Sequence, residues 1–211
     1  QRKGKKIIHL EIGQPDFATP KVVSEAGIKA IKQGKTKYTA PLGNFELRSV
    51  IAAALTERRG VKISPHMIGV MPSAKIALYL AMTAILSPDD EVIYPDPGFP
   101  TYGNVAEFLK CKLKPVPLVE KNDFNFDLDT FSGLLNSKTK LVILNSPNNP
   151  TGSVIPQKNL KVIAGLVKKH NCWVMSDEIY SGMLYDKEKY ASIYSVKGMA
   201  ERTLIVHGFS K

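Results

Sequence analysis

Cysteine is scarce in this chain: Cys111 and Cys172 are the only two, far apart and without metal-ligand spacing. A reduced, cytoplasmic setting is expected from that usage. No apolar run approaches the length that crosses a bilayer, so no membrane partner is expected. The N-terminus lacks a signal-peptide pattern, and a start at Gln1 in place of Met leads us to expect residues ahead of it. Internal repeats and low-complexity segments are absent. So are G-x-G-x-x-G and Walker sequences, which removes the usual dinucleotide and nucleoside triphosphate signals. Zinc-finger spacing and an RNA-binding aromatic signature are missing as well.

Acidic residues are the scarcer charge, 19 against 29 basic, for a net +10. The lysines are spread over helix-like segments (Lys158, Lys161, Lys168, Lys169), with "QRKGKK" at the start as the chief cluster. That distribution fits a basic solvated surface suited to anionic ligands, and no nucleic-acid partner is expected.

What is present reads as a globular α/β chain. The 211 residues, 44% of them hydrophobic, suffice for one large domain or a domain and a half. "TPKVVSEAGIKAIKQG" has helix grammar, with Thr19 as cap, Pro20 at the first position and Gly34 past the end. "NFELRSVIAAALTERRG" repeats it with Asn44 and Gly60. The apolar helix "IALYLAMTAIL" follows "MPSAK", and further helices are expected near Thr101, from Leu128 to Leu135, and over "KNLKVIAGLVKKH". Between them lie the strand-like runs "EVIYP", "CKLKPVPL", "KLVILN", "CWVMS" and "TLIVH". The prolines of the second mark it as an edge or short strand. Alternation of strands and helices argues for a mostly parallel sheet with helices on both faces. Ligands of such sheets gather beyond the carboxyl ends of the strands.

Three strand ends are polar: "KLVILN" runs into "SPNNPTG", "CWVMS" into "DEIY", and "TLIVH" into "GFSK". Taken singly, each has an ordinary explanation. Asn, Pro and Gly make turns, "SDEIY" could cap a helix with acids in its first turn, and a terminal lysine could be a solvated tail. All three in this order are hard to attribute to turn chemistry.

With these stretches the chain resembles the class I/II aminotransferases, fold-type I enzymes of the aspartate aminotransferase type that use pyridoxal 5'-phosphate. The resemblance runs through "LEIGQPDFATP", "KYTAPLGNFELR", "MPSAKIALYLA", "YPDPGFPTY", "NSPNNPTG", "SDEIY" and "GFSK", nearly the whole sequence. It implies an amino-group transfer between an amino acid and a 2-oxo acid. Lys211 would form the Schiff base with the cofactor and then carry the proton as general acid/base. Asp177 would bond the pyridine nitrogen and keep it protonated. Tyr180, read as lying on the same side of a helical turn as Asp177, would share the ring's phenolic oxygen with Asn149. Ser73, Ala74 and Lys75 would offer donors to the phosphate at a helix start, although Ser73 reads equally well as a simple cap. Phe99 would stack on the cofactor ring, with core packing as its rival role. Gly13 would admit the substrate carboxylate close to the backbone. Tyr38 would reach the phosphate of a neighbouring subunit, which implies a homodimer with shared sites.

The family pattern also sets the expected organisation. Residues 1–33 would contribute to a small domain and dimer contacts, and 34–211 would form the cofactor-binding large domain. Two departures stand out. Many relatives carry a hydroxyl residue where this chain has Gly208, which puts one phosphate contact in doubt unless Ser210 or an amide substitutes. The family also continues well past the lysine, so we expect this sequence to be the N-terminal part of a longer polypeptide. A lyase of the same fold and a non-enzymatic sensor domain are the rival functions; the first would release pyruvate or ammonia, the second would carry a DNA-binding domain.

Overall fold

The computed structural model describes residues 8, 13–186 and 190–211. The basic block "QRKGKK" and residues 10–12 of "LEIGQPDFATP" lie outside them. The chain forms two compact units, Gln1–Ala40 and Pro41–Lys211.

In the first unit, helix α1 (Lys21–Lys32) begins one residue later than the sequence grammar suggested: Pro20 is the N-cap, and no side chain caps the helix. Thr19 therefore does not cap it. Gly34 lies just past its end at φ +68°, where a side chain would be strained.

The second unit opens with α2 (Phe45–Arg59). Asn44 Oδ1 accepts from the amides of Glu46 at 2.8 Å and Leu47 at 3.3 Å, and left-handed Gly60 closes the helix. There follow α3 (Ala74–Ile85), β1 (Glu91–Asp96), α4 (Thr101–Phe108), β2 (Lys112–Pro117), α5 (Leu128–Leu134), β3 (Thr139–Asn145), α6 (Gln157–Lys169), β4 (Trp173–Asp177) and β5 (Thr203–Val206).

The five strands form one sheet in the order β2-β1-β3-β4-β5, and every pair is parallel. β2, with Pro115 and Pro117, is an edge strand as its prolines require. Side chains alternate between two cores. Val142, Leu144 and Val174 pack with Phe131 of α5 and Ile163 and Val167 of α6. Leu141, Ile143 and Met175 pack with Leu78 and Met82 of α3 and Tyr102 and Ala106 of α4. Helices thus cover both faces, and burial on both sides explains why "LVIL" is an unbroken apolar run instead of an alternating one. The chain leaves β1 toward β2 on one side and returns to β3 on the other. All strands point the same way, so Asp96, Asn145, Asp177 and Val206 finish at one end of the sheet, beside that switch point.

Candidate active site at the carboxyl ends of the strands

Asp177 is the last residue of β4, paired in register with Asn145 on one side and Val206 on the other. It is only 4% exposed. Its Oδ2 accepts a 2.7 Å hydrogen bond from Tyr102 Oη, and its Oδ1 accepts from the Ile179 amide at 3.2 Å. Burial pushes the carboxyl above its ordinary range; the Tyr102 and Ile179 bonds pull it back, and the Glu178 charge raises it again. Burial and the Asp177 charge also push the Tyr102 hydroxyl far up, so it stays a donor. Among the described residues no basic side chain forms an ion pair with Asp177. Among the described residues the carboxyl is thus held by hydrogen bonds alone.

Asn145 ties the neighbouring loop to this acid. Its Nδ2 donates to the Asp177 carbonyl at 3.1 Å, and its Oδ1 accepts from the Asn149 amide at 2.8 Å. The loop is also a well-made turn: the Thr151 amide and hydroxyl both donate to Asn148 Oδ1, at 3.2 and 3.0 Å. Turn chemistry and placement of Asn149 are therefore compatible.

Residues after Asp177 do not form a helix. The Ser181 amide donates to the Glu178 carbonyl at 2.9 Å, which makes 178–181 a β-turn. Tyr180 sits half-buried in that turn, and its hydroxyl is pushed up by burial and then by the Asp177 charge. The expected helical turn from Asp177 to Tyr180 is corrected accordingly: β4 runs through Asp177, and the turn brings Tyr180 back into its field. Below the turn lies a buried network. Glu178 forms an ion pair with Arg59 of α2, and its Oε1 accepts from Ser176 Oγ at 3.0 Å and Ser192 Oγ at 2.5 Å.

At the end of β1, Phe99 meets Tyr102 edge-on with ring centroids 5.8 Å apart. Lys75 Nζ stands 5.7 Å from the Phe99 centroid. Phe99 also lines a cavity of about 260 Å³ with Asp96, Asn104 and neighbours. Ser73 is the N-cap of α3, its Oγ accepting from the Ile76 amide at 3.2 Å. Regular helix bonding starts with the Ala77 amide on the Ser73 carbonyl, so the amides of Ala74 and Lys75 belong to the open first turn.

Beyond β5, residues 207–211 leave the sheet beside Asp177, anchored by the Glu178 amide on the Val206 carbonyl at 2.8 Å. Lys211 is exposed at the end of this segment. A Cβ on Gly208 would stand 2.9 Å from Ile179 Cδ1, so the missing hydroxyl has a packing counterpart: the segment passes close over the Ile179 side chain. Gly13 and Tyr38 belong to the 1–40 unit and are exposed.

The second unit thus brings Asp177, Asn149, Tyr180, Phe99, Lys75, Ser73 and Ala74 to the loops beyond the strands, with Lys211 following β5. Tyr102, Asn145, Arg59, Glu178 and His207 escaped the sequence reading. The first two had a signal: Tyr102 falls in the first turn of the helix after "DPGFP", and Asn145 is the polar end of a buried strand.

A parallel α/β unit with a buried, hydrogen-bonded acid at its strand ends belongs to the class of folds that bind ligands beyond the carboxyl ends of their strands. The match can be made specific: residues 5–211 fit the family described as aminotransferase class I and II, and the chain belongs to that family. It is 43% identical over 213 residues to an aspartate aminotransferase of Pinus pinaster, covering all of this chain and 43% of that protein. Among solved structures it is similar to a Thermus thermophilus aspartate aminotransferase variant, with TM-score 0.95 and 36% identity, covering 100% of this chain and 54% of that one. It is also similar to an aromatic aminotransferase of Pyrococcus horikoshii OT3, with TM-score 0.92 and 38% identity, covering 95% and 54%. The chain spans about half the length of these relatives. Class I and II aminotransferases use pyridoxal 5'-phosphate.

Proposed function

We propose that the protein is a pyridoxal-phosphate-dependent aminotransferase that moves an amino group between an amino acid and a 2-oxo acid. The observation that carries the proposal is Asp177: a buried carboxylate, oriented by Tyr102 and the Ile179 amide, that lacks a cationic partner among the described residues. A protonated pyridine nitrogen would supply a charge partner for this carboxylate. When bound, the cofactor supplies an electron-withdrawing ring.

The chain's own residues divide the remaining work. Asp177 holds a proton on the ring nitrogen, and Tyr102 holds Asp177. Asn149 and Tyr180 are assigned to the ring's phenolic oxygen, where each can donate. Ser73 with the first-turn amides of Ala74 and Lys75 is assigned to the phosphate; an anion there is favoured by the helix dipole. Phe99 covers the ring face. Lys211 would hold the cofactor covalently, and its Nζ would take up and return the proton. Gly13 is assigned to the substrate carboxylate.

We further propose a homodimer in which Tyr38 reaches the partner's phosphate, and a cytoplasmic setting in keeping with two free cysteines. The named relatives act on aspartate or on aromatic amino acids, so either class is a fitting first substrate. The test is transfer of label from a ¹⁵N-amino acid to a 2-oxo acid by the full-length protein. Labelled amino acid product is expected; release of labelled ammonia in its place would point to a lyase.

A further inference from the structure

His207, the first residue past β5, is a side chain that the proposed reaction does not use, yet it touches both segments on which that reaction depends. Its Nε2 lies 3.0 Å from Ser181 Oγ, in the turn that carries Tyr180. Its Nδ1 lies 2.7 Å from the Gly208 amide nitrogen and 3.1 Å from the Gly208 carbonyl oxygen, in the segment that carries Lys211. We propose that His207 is a positioning residue: by bridging the Ser181 hydroxyl and the Gly208 backbone, its neutral imidazole latches the 207–211 segment to the 178–181 turn and sets where the Lys211 amine stands. This rests on the functional reading above for the role of Lys211.

Stereochemistry selects the neutral ring. An amide nitrogen at 2.7 Å requires a lone pair on Nδ1, which leaves the proton on Nε2, where it donates to Ser181 Oγ. In the imidazolium both ring nitrogens carry protons. Nδ1–H would then face the Gly208 N–H, and only the Gly208 carbonyl could relieve it, so the segment must shift. The surroundings act in the same sense. Burial holds the ring below the usual histidine range; Arg59 and Arg58 of α2 lower it further, while Glu178 and the Gly208 backbone oppose them. A ring kept neutral in the fold stabilises the latch above the ordinary histidine range. That contribution is lost as pH falls through the lowered value.

The test uses the full-length apoprotein and covalent capture of pyridoxal phosphate, trapped with borohydride and mapped by mass spectrometry. Label on Lys211 in the wild type supports the functional reading; label elsewhere sinks that reading and the latch with it. The latch itself is read from capture rates of wild type, His207→Phe, Ser181→Ala and the double variant between about pH 5 and 9. At the alkaline end each single variant should slow capture about two- to tenfold, as expected for one lost hydrogen bond. The double variant should be no slower than the slower single, because both remove one bridge. As pH falls, the ratio of wild-type to variant rates should approach one. His207→Gln, which can reach Ser181 but cannot titrate, should stay fast without the acid loss. Wild-type capture by Ser181→Ala, or additive slowing in the double variant, would overturn the latch while leaving the functional reading intact. Should His207→Phe fail to fold, Ser181→Ala and His207→Gln alone decide.

Discussion

Tyr102 Oη and Asp177 Oδ2 lie 2.7 Å apart although 75 residues separate them in the chain. Tyr102 enters from the first turn of α4 and Asp177 from the end of β4, so the bond joins a helix on one face to the carboxyl edge of the sheet. Its donor lowers the acid's affinity for protons while burial raises it, and the balance sets whether Asp177 can serve a cationic ring. Tyr102→Phe removes the donor and keeps the packing. A hydrogen bond to a charged group contributes about 1.5–3 kcal/mol, so kcat/KM should fall roughly ten- to a hundredfold, and the apoprotein should lose stability of the same order because the acid is buried. An unaltered kcat/KM would show that Asp177 is held by other means.

Asp177 itself should trade stability for function. Its raised proton affinity means that the folded apoprotein binds more protons than the unfolded chain, from about the ordinary value of 3.9 up to the raised one. Stability therefore falls as pH rises through that window. Asp177→Asn keeps an acceptor for Tyr102 without the charge, so the apo variant should melt at or above wild type near neutrality, the gap closing in acid. Activity should drop severely, and more in Asp177→Ala than in Asp177→Glu. An Asp177→Asn apoprotein that melts well below wild type at neutral pH would contradict this account.

The Arg59–Glu178 pair is buried on both sides. Removing one partner strands the other, at a cost of about 3–5 kcal/mol. Arg59→Met should lower the denaturant midpoint accordingly, and combining it with Glu178→Leu should recover much of the loss. A midpoint change within experimental scatter for Arg59→Met would mean the pair is not a structural brace.

Much of the fold was legible because short apolar runs alternate with capped helical segments. "LVIL" and "VMS" are buried, and Asn44 and Gly60 bracket α2 where the capping residues require. Thr19 misled by one position, because Pro20 has the extended ψ of a cap and provides no side-chain acceptor. Asp177, Asn149 and Lys211 could be read from motifs at strand ends. The helical turn expected for Tyr180 failed because nothing local distinguishes an acidic helix start from a strand that runs on into a β-turn. Arg59 and Glu178, 119 residues apart, leave no local signal; only the packing of α2 pairs them. His207 looked like the end of an apolar strand, and its bridging role depends on a turn 26 residues upstream.

Tyr38 is fully exposed, at 107% of its reference area, so it is not a core residue. Tyr38→Phe should leave the melting temperature unchanged and weaken cofactor retention. If it acts on the partner's site, mixing impaired Tyr38→Phe with inactive Lys211→Ala should restore activity, since each hybrid has one intact site. No recovery after verified subunit exchange would place Tyr38 in its own site or in none.

Lys211 is proposed to carry the cofactor. Borohydride reduction of the full-length holoprotein, followed by proteolysis and mass spectrometry, locates the attachment. A pyridoxyl group on Lys211 is expected, with none recovered in Lys211→Ala. Stoichiometric label on another lysine, such as Lys75 beside Phe99, would contradict it.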